Sequence, residues 1–214
     1  MLKTFLVKET PMIPVTMEQV KKLAPNIKPV YAQAFQTVDA VLSEFGINEN
    51  KLRLAHFMAQ ILHESGAFTI LDENMNYTAK RMTQVWPKRF PTVASAEPFA
   101  HNPEKLANKV YGGRMGNVDP GDGWKYHGRG LLQLTGRESY KKHGQRVGAD
   151  LEASPDLAAS ELALKIAAAE FKASGCNGFA DADNVDKVTK AINGGLIGLA
   201  ERKAWLVKTK KVWA

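Results

Sequence analysis

Residues 52–66 read LRLAHFMAQILHESG, and this stretch decides the fold. Leu52, Ala55, Ala59 and Leu62 recur at three- and four-residue intervals, the spacing of an apolar helix face, and Gly66 interrupts the run. Asn48, just upstream, can cap the helix with its side-chain oxygen. Glu64 closes the helix, so its carboxyl projects from a rigid, partly desolvated support, a setting that suits a proton donor. Glu73 is the next glutamate along the chain. On one continuous helix the two would point to opposite faces, about 13 Å apart along the axis, so cooperation requires the chain to reverse after Gly66. Such a reversal would set two carboxylates across a cleft, where one protonates a leaving glycosidic oxygen and the other activates water or attacks carbon. Without it, Glu64 is a helix-terminal carboxylate and Glu73 a surface one.

Working outward, the helical pattern dominates. A capping box formed by Thr16 and Gln19 predicts a short helix early in the chain. From Pro29, the residues Val30, Ala34, Val38, Val41, Leu42 and Phe45 predict one helix that stops at Gly46. Further helices are expected near 78–86, 103–111, 160–174, 184–193 and 199–211. Between 112 and 130 seven glycines accompany Asp119, Pro120 and Asp122, which predicts turns and small hairpins. Leu131 to Thr135 reads equally as a short buried strand or as the start of a helix. The expected fold is mainly α with a minor β part: a helical bundle with a small glycine-rich loop and β-hairpin lobe forming a substrate cleft. A single catalytic domain is expected over 1–214, with an N-terminal arm at 1–28, the glycine-rich insertion at 112–130 and no separate wall-binding domain.

Composition narrows the functional classes. The chain has 214 residues, 44% hydrophobic and 24% charged, which excludes collagen-like, low-complexity and wholly disordered readings. Lys and Arg number 29 against 22 Asp and Glu, and the formal charge of +7 favours polyanionic partners: nucleic acid, anionic lipid or acidic cell-wall polymer. No helix-turn-helix, RNA-recognition or zinc-finger pattern supports nucleic acid. Cys176 is the single cysteine, so no internal disulfide is possible. The opening MLKTFLVKETPMIPV is broken by Lys8 and Glu9 and is too short for a signal-peptide core, so synthesis in a cytoplasm is expected. His63-Glu64 is not a zinc motif, because Ala67 stands where a second histidine would fall. The remaining histidines form no ligand cluster, and Asp119 and Asp122 lack calcium-loop spacing, so neither metal nor cofactor is expected. The C-terminal segment sets Trp205, Leu206 and Trp213 beside Lys208, Lys210 and Lys211. It reads either as a basic helix in weak contact with an anionic membrane or as a terminal helix packed on the core.

The run AHFMAQILHESGAF at 55–68, ENMNY at 73–77, YHGRGLLQLTGRESY at 126–140, INGG at 192–195 and Arg202 downstream together resemble glycoside hydrolase family 19, and within it the bacteriophage endolysins. The resemblance implies a lysozyme-like fold and cleavage of β-1,4 links between N-acetylated hexosamines, with inversion as the usual course. Carried over by position, it makes Glu64 the general acid and Glu73 the general base. Thr135 would help hold the attacking water, and Gln133 and Asn193 would bind sugar amides or hydroxyls. Tyr126 and Arg129 would shape the cleft, Arg129 serving alternatively as a structural ion-pair partner. Plant chitinases of the family separate the two acids by a longer insertion and carry several disulfides. Here the acids are closer and there is one cysteine, so peptidoglycan is the expected substrate rather than chitin. An endolysin of this type would act as a monomer and wait in the host bacterial cytoplasm until a holin-type protein opens the membrane. Three rivals remain: a lytic transglycosylase using Glu64 alone, suggested by the Glu64-Ser65 pair, a chitinase, and, more remotely, a non-catalytic basic protein that binds wall or nucleic acid.

Overall fold

In a computed structural model, the structure describes residues 12–214, so the reading placed on the first eleven residues lies outside it. Helix α1 spans Met17–Leu23 and begins with the expected capping box, Thr16 Oγ1 accepting from the Gln19 amide while Gln19 Oε1 accepts from that of Thr16. The described part of the arm is built into the core: Val15, Val20 and Ala24 are buried, and the Val15 amide donates to Asp39 Oδ1 at 2.9 Å.

The single helix expected over Pro29 to Phe45 is broken. Helix α2 covers Pro29–Ala34, a 3-10 turn covers Phe35–Thr37, and α3 covers Val38–Glu44. The tightened turn allows Tyr31, Phe35, Val38 and Leu42 all to reach the interior. Helix α4, Lys51–Glu64, is capped by Asn50, whose side chain accepts from the Leu52 amide at 2.8 Å. Asn48 is instead fully buried two residues earlier, its side-chain amide donating to the Asp39 carbonyl. Every residue of α4 from Leu54 to Leu62 is buried. The periodicity marked one apolar face, but neighbours enclose the whole circumference.

A second, smaller core stands beside the main one. Helices α5 (Ala79–Val85), α6 (Val93–Ala96) and α7 (Pro103–Tyr111) surround Met75, Met82, Phe90, Leu106 and Val110. The glycine-rich segment folds as turns around a single helical turn, α8 (Asp122–Lys125), with no hairpin. Only two isolated bridges, Asp72 with Arg129 and Arg129 with Leu134, supply the β part among the described residues. The physical reason is that side chains take the backbone donors a ladder would need. Asp122 accepts the amides of Val118 and Asp119, and Asn117 accepts that of Arg137. Arg137 in turn bonds Asp119 at 2.6 Å and Asp122 at 2.7 Å. Residues 131–135 form neither a strand nor a helix; 130–133 turn back so that Leu134 bridges to Arg129. Gly123 lets α8 touch α7, since a Cβ there would lie 2.6 Å from the Ala107 carbonyl oxygen.

Five more helices complete the main body: α9 (Arg137–Val147), α10 (Ala163–Ala173), α11 (Cys176–Asp181), α12 (Val185–Asn193) and α13 (Leu199–Trp213). Phe171 of α10 meets Phe57 of α4 edge to face, their centroids 5.4 Å apart. Helix α13 runs against α4 where Ala55 and Ala59 leave room for Leu206, and the Thr209 hydroxyl donates to the Ala55 carbonyl at 2.9 Å. Leu206 and Trp213 are buried and Trp205 is half-buried against the core, while Val207 of α13 is exposed. No helix is long and apolar enough to cross a membrane among the described residues.

Candidate active site

The reversal that the two glutamates require is present. Gly66, Ala67 and Phe68 follow one another in left-handed conformation, with φ of 56°, 55° and 63°. For the two non-glycine residues this costs about 1–2 kcal/mol each, and the surroundings over-determine it. The Ala67 amide closes on the Leu62 carbonyl at 2.7 Å. Ser65 Oγ donates to the Ile61 carbonyl and accepts from the Phe68 amide. The Phe68 ring is buried against Phe35 and Tyr31, and the Tyr31 hydroxyl holds the Ile70 carbonyl at 2.9 Å. Backbone strain of this kind, stored between two candidate acids, is characteristic of functional sites.

Beyond the turn the chain runs extended beside residues 128–130: the Glu73 amide donates to the Gly128 carbonyl at 2.9 Å, and the Gly130 amide to that of Leu71 at 2.8 Å. Gly130 has to be glycine, because at φ 78° its Cβ would stand 2.0 Å from the Ala158 carbonyl oxygen. Glu73 therefore projects from a fixed strand segment into a cleft of about 360 Å³ lined by Asp72, Asn74, Asn76, Trp124, His127 and Arg129, among others. Tyr111, the last residue of α7, donates its hydroxyl to Glu73 Oε2 at 2.8 Å. Glu73 Oε1 is buried and has no partner among the described residues. Burial pushes the Glu73 carboxyl above its ordinary range, partly offset by the Tyr111 hydroxyl and the Gly128 backbone. Burial and the Glu73 charge push the Tyr111 phenol upward, so it remains a protonated donor.

Glu64 has different surroundings. Its Oε1 is ion-paired with Arg202 of α13, whose guanidinium is buried and also donates to Gln60 Oε1 at 2.5 Å. Gln60 Nε2 and Arg202 Nε are buried without partners among the described residues. Beside them, burial first and the Arg202 charge second hold the His63 imidazole below its ordinary range. Thus one carboxylate is matched by a cation while the other is held by a phenol.

The remaining expected site residues fall in three groups. Gln133 shares Glu73's surroundings: a Cβ on Gly128 would lie 3.1 Å from Gln133 Oε1 and 3.2 Å from Glu73 Cβ. Gln133 is itself left-handed at φ 52° and donates to the Gly130 carbonyl, and the Thr135 hydroxyl donates to the Gln133 carbonyl at 3.0 Å. Arg129 both lines the cleft and is mostly buried, bonding Asp72 and Asp156 at 3.2 Å each and the Tyr140 hydroxyl at 3.1 Å, so the two roles left open for it coincide. Tyr126 is not a cleft residue. It is 1% exposed, tilted against Tyr140, with its hydroxyl on the Glu152 carbonyl, because the preceding α8 turn directs it into the core. Asn193 is exposed at the end of α12, its side chain at 3.4 Å from the Ile197 carbonyl. The loop that follows reaches Glu64's neighbour His63 through Gly198.

Tyr111, Gln60, Trp124 and His127 were not singled out for the site by their spacing. Trp124 and His127 stack at 4.3 Å with an angle of 15°, and Trp124 lies within the glycine-rich segment where no periodicity marks it. Burial holds the His127 imidazole below its ordinary range, which favours its neutral form in the cleft wall.

A family model described as chitinase class I matches residues 27–173, a span that contains both glutamates and the Tyr126–Tyr140 block. The chain belongs to glycoside hydrolase family 19. Its relatives include a glycosyl hydrolase family 19 domain-containing protein of Haemophilus influenzae, 39% identical over 184 residues, covering 85% of this chain and 88% of the relative. Chitinase C from Streptomyces griseus shares the family 19 fold with a TM-score of 0.63 at 16% identity, over 93% of this chain and 92% of that one. A bacterial family 19 chitinase aligns at 0.62 and 17% identity, over 94% and 95% of the two chains. The class IV chitinase of Zea mays aligns at 0.54 and 16%, over 92% and 89%. The mainly α architecture expected from the helical periodicity is therefore that of family 19, and the protein is a glycoside hydrolase.

Proposed function

We propose that this family 19 hydrolase cuts β-1,4 glycosidic bonds of bacterial peptidoglycan by a two-carboxylate mechanism, as an endolysin does. The observation that carries the mechanism is the state of Glu73: one oxygen is fixed by the Tyr111 hydroxyl, and the other is buried and unpartnered. A carboxylate held that way is oriented to take a proton from water, and the upward push of burial makes it a stronger base. Glu64, at the end of α4, is assigned the proton delivered to the leaving oxygen. Arg202 orients that carboxyl and supplies counter-charge once the proton has left. Thr135 and Gln133 hold the water and a sugar amide beside Glu73. Asn74 and Asn76 add amide donors and acceptors, and the Trp124–His127 stack adds an aromatic wall for a sugar face. Inversion follows if water attacks directly with Glu73 as base.

The net positive charge supports peptidoglycan over neutral chitin, because the bacterial wall carries acidic groups that a basic enzyme concentrates around itself. In this reading the enzyme reaches the wall only after a separate protein has breached the membrane. A transglycosylase would need only one acid, and the built environment of Glu73 disfavours it.

One observation favours exchanging the two roles: Glu73 is the carboxyl displaced toward its neutral form, whereas Glu64 faces a guanidinium. Glycosides with activated leaving groups separate the assignments. The variant lacking the acid keeps activity on them, and the variant lacking the base recovers with azide, yielding a glycosyl azide. The overall reading is tested by mass spectrometry of borohydride-labelled fragments from purified peptidoglycan. Reducing ends made by wild type and lost in Glu73→Gln are expected. Anhydro ends persisting in Glu73→Gln would defeat the hydrolytic mechanism.

A further inference from the structure

The net charge of the chain is concentrated in one lobe. Residues 77–114 contain seven Lys and Arg against two Glu, so five of the chain's seven net positive charges lie there. The arginines of this segment differ from those elsewhere. All five arginines outside this segment, Arg53, Arg129, Arg137, Arg146 and Arg202, are ion-paired. Among the described residues no carboxylate pairs with Arg81, Arg89 or Arg114 inside it, nor with its four lysines. A solvated surface with no particular partner carries interspersed charges of both signs. This lobe departs from that pattern, with seven cations against only Glu97 and Glu104.

Geometry joins several of these charges into a surface with aromatic rings. Lys105 and Lys109, one turn apart on α7, lie 5.5 and 5.9 Å from the centre of the Phe99 ring. The Arg89 guanidinium donates to the Lys109 carbonyl at 2.6 Å, which ties the α5–α6 connection to α7. Beside it Val85, Trp86, Pro87, Lys88 and Arg89 line a shallow hollow of about 540 Å³, larger than the cleft around Glu73. Helix α7 also belongs to the site itself, since Pro103 lines the cleft and Tyr111 holds Glu73. Helix α7 thus carries part of the basic aromatic surface and also reaches the reaction centre.

We infer that this lobe is a docking surface for an acidic glycan strand extending from the cleft, its cations meeting the carboxylates of the strand and its rings meeting sugar faces. The inference rests on the proposed peptidoglycan substrate and deepens it: the lobe, rather than the cleft, selects an acidic polymer over neutral chitin. Attraction between unmatched surface cations and a polyanion raises encounter rates by on the order of 10- to 1,000-fold and fades with salt. Stacked or overlaid rings add contacts that do not depend on salt.

The test is the triple charge reversal Lys88→Glu, Lys105→Glu and Lys109→Glu, all three exposed and none in contact with Glu64 or Glu73. At low ionic strength kcat/KM on peptidoglycan sacculi should fall by about tenfold or more. Raising the salt should bring wild type down toward the variant. On a short neutral N-acetylglucosamine oligosaccharide, which fills only the cleft, the two proteins should be equal. Unchanged cleavage of sacculi, or an equal loss on both substrates, would overturn the inference. Binding separates this proposal from the one beneath it. Co-sedimentation of Glu64→Gln protein with sacculi, with and without the triple reversal, reads the lobe even if sacculi prove not to be cleaved. Loss of salt-sensitive co-sedimentation on reversal is expected. Displacement from sacculi by duplex DNA as effectively as by soluble wall fragments would show a general polyanion surface and defeat the assignment to glycan.

Discussion

Replacing Tyr111 by Phe removes a single hydroxyl, the one that donates to Glu73 Oε2 at 2.8 Å, and leaves the ring in the second core. A hydrogen bond to a charged group is worth about 1.5–3 kcal/mol, and one pKa unit corresponds to about 1.4 kcal/mol. Loss of the donor should therefore raise the Glu73 carboxyl further and disfavour its ionised form by about tenfold, taking the lower end because the site opens to solvent. With Glu73 as the base, the acid limb of kcat/KM against pH moves toward neutrality by that amount. Activity one unit below the wild-type limb drops by about tenfold, while the plateau is nearly unchanged because the base is ionised in both proteins. The assay is initial-rate hydrolysis of a soluble oligosaccharide across the acid and neutral range, with circular dichroism confirming the fold. Movement of the alkaline limb instead would make Glu73 the acid and Glu64 the base. A profile in which neither limb moves, or in which activity falls equally at every pH, would refute the claim that Tyr111 tunes this carboxyl.

The same burial predicts a stability effect of opposite sign to the activity effect. Because the folded-state value of Glu73 is raised, its contribution to stability is fully present below the unfolded value and is lost as pH rises through the folded one. Glu73→Gln, which keeps an acceptor for Tyr111, should match wild type in thermal midpoint at low pH and exceed it increasingly above about pH 4.5; thermal scans over that range decide it. Arg202→Met leaves Glu64 and Gln60 without their shared cation and should destabilise by about 3 kcal/mol in urea unfolding. The double variant with Glu64→Gln should recover a measurable part of that loss, and equal instability of single and double variants would mean that packing, not charge, explains the effect.

Several elements were legible because their signals are local. The helices near 103–111 and 184–193 carry apolar residues at helical spacing, and the Thr16–Gln19 cap is written in residues three apart. The need for a reversal after Gly66 also followed from geometry alone, since one continuous helix would have turned the two glutamates away from each other. What misled was equally local. Continuous periodicity from Pro29 to Phe45 hid the 3-10 break, which exists so that Phe35 and Tyr31 can meet Phe68. Glycine and aspartate in 112–130 promised hairpin turns, but the Asp122 and Asn117 side chains accept backbone amides that a hairpin would have paired, and Arg137 braces Asp122.

By itself the sequence determined the helical class, the membership suggested by the Glu64, Glu73 and Tyr126–Tyr140 blocks, and the excess of positive charge, because each is a property of residue types and of short spacings. Only the tertiary structure decided what stands beside each acid. Tyr111 lies 38 positions from Glu73, and Arg202 lies 138 from Glu64. No periodicity reports contacts at such separations, since they arise from how α7 and α13 pack. Tyr126 sits inside the most recognisable stretch of the chain yet is buried in the core, while Tyr111, outside it, touches the candidate base. A motif names residues, but the directions their side chains take are set by the turns and packing around them.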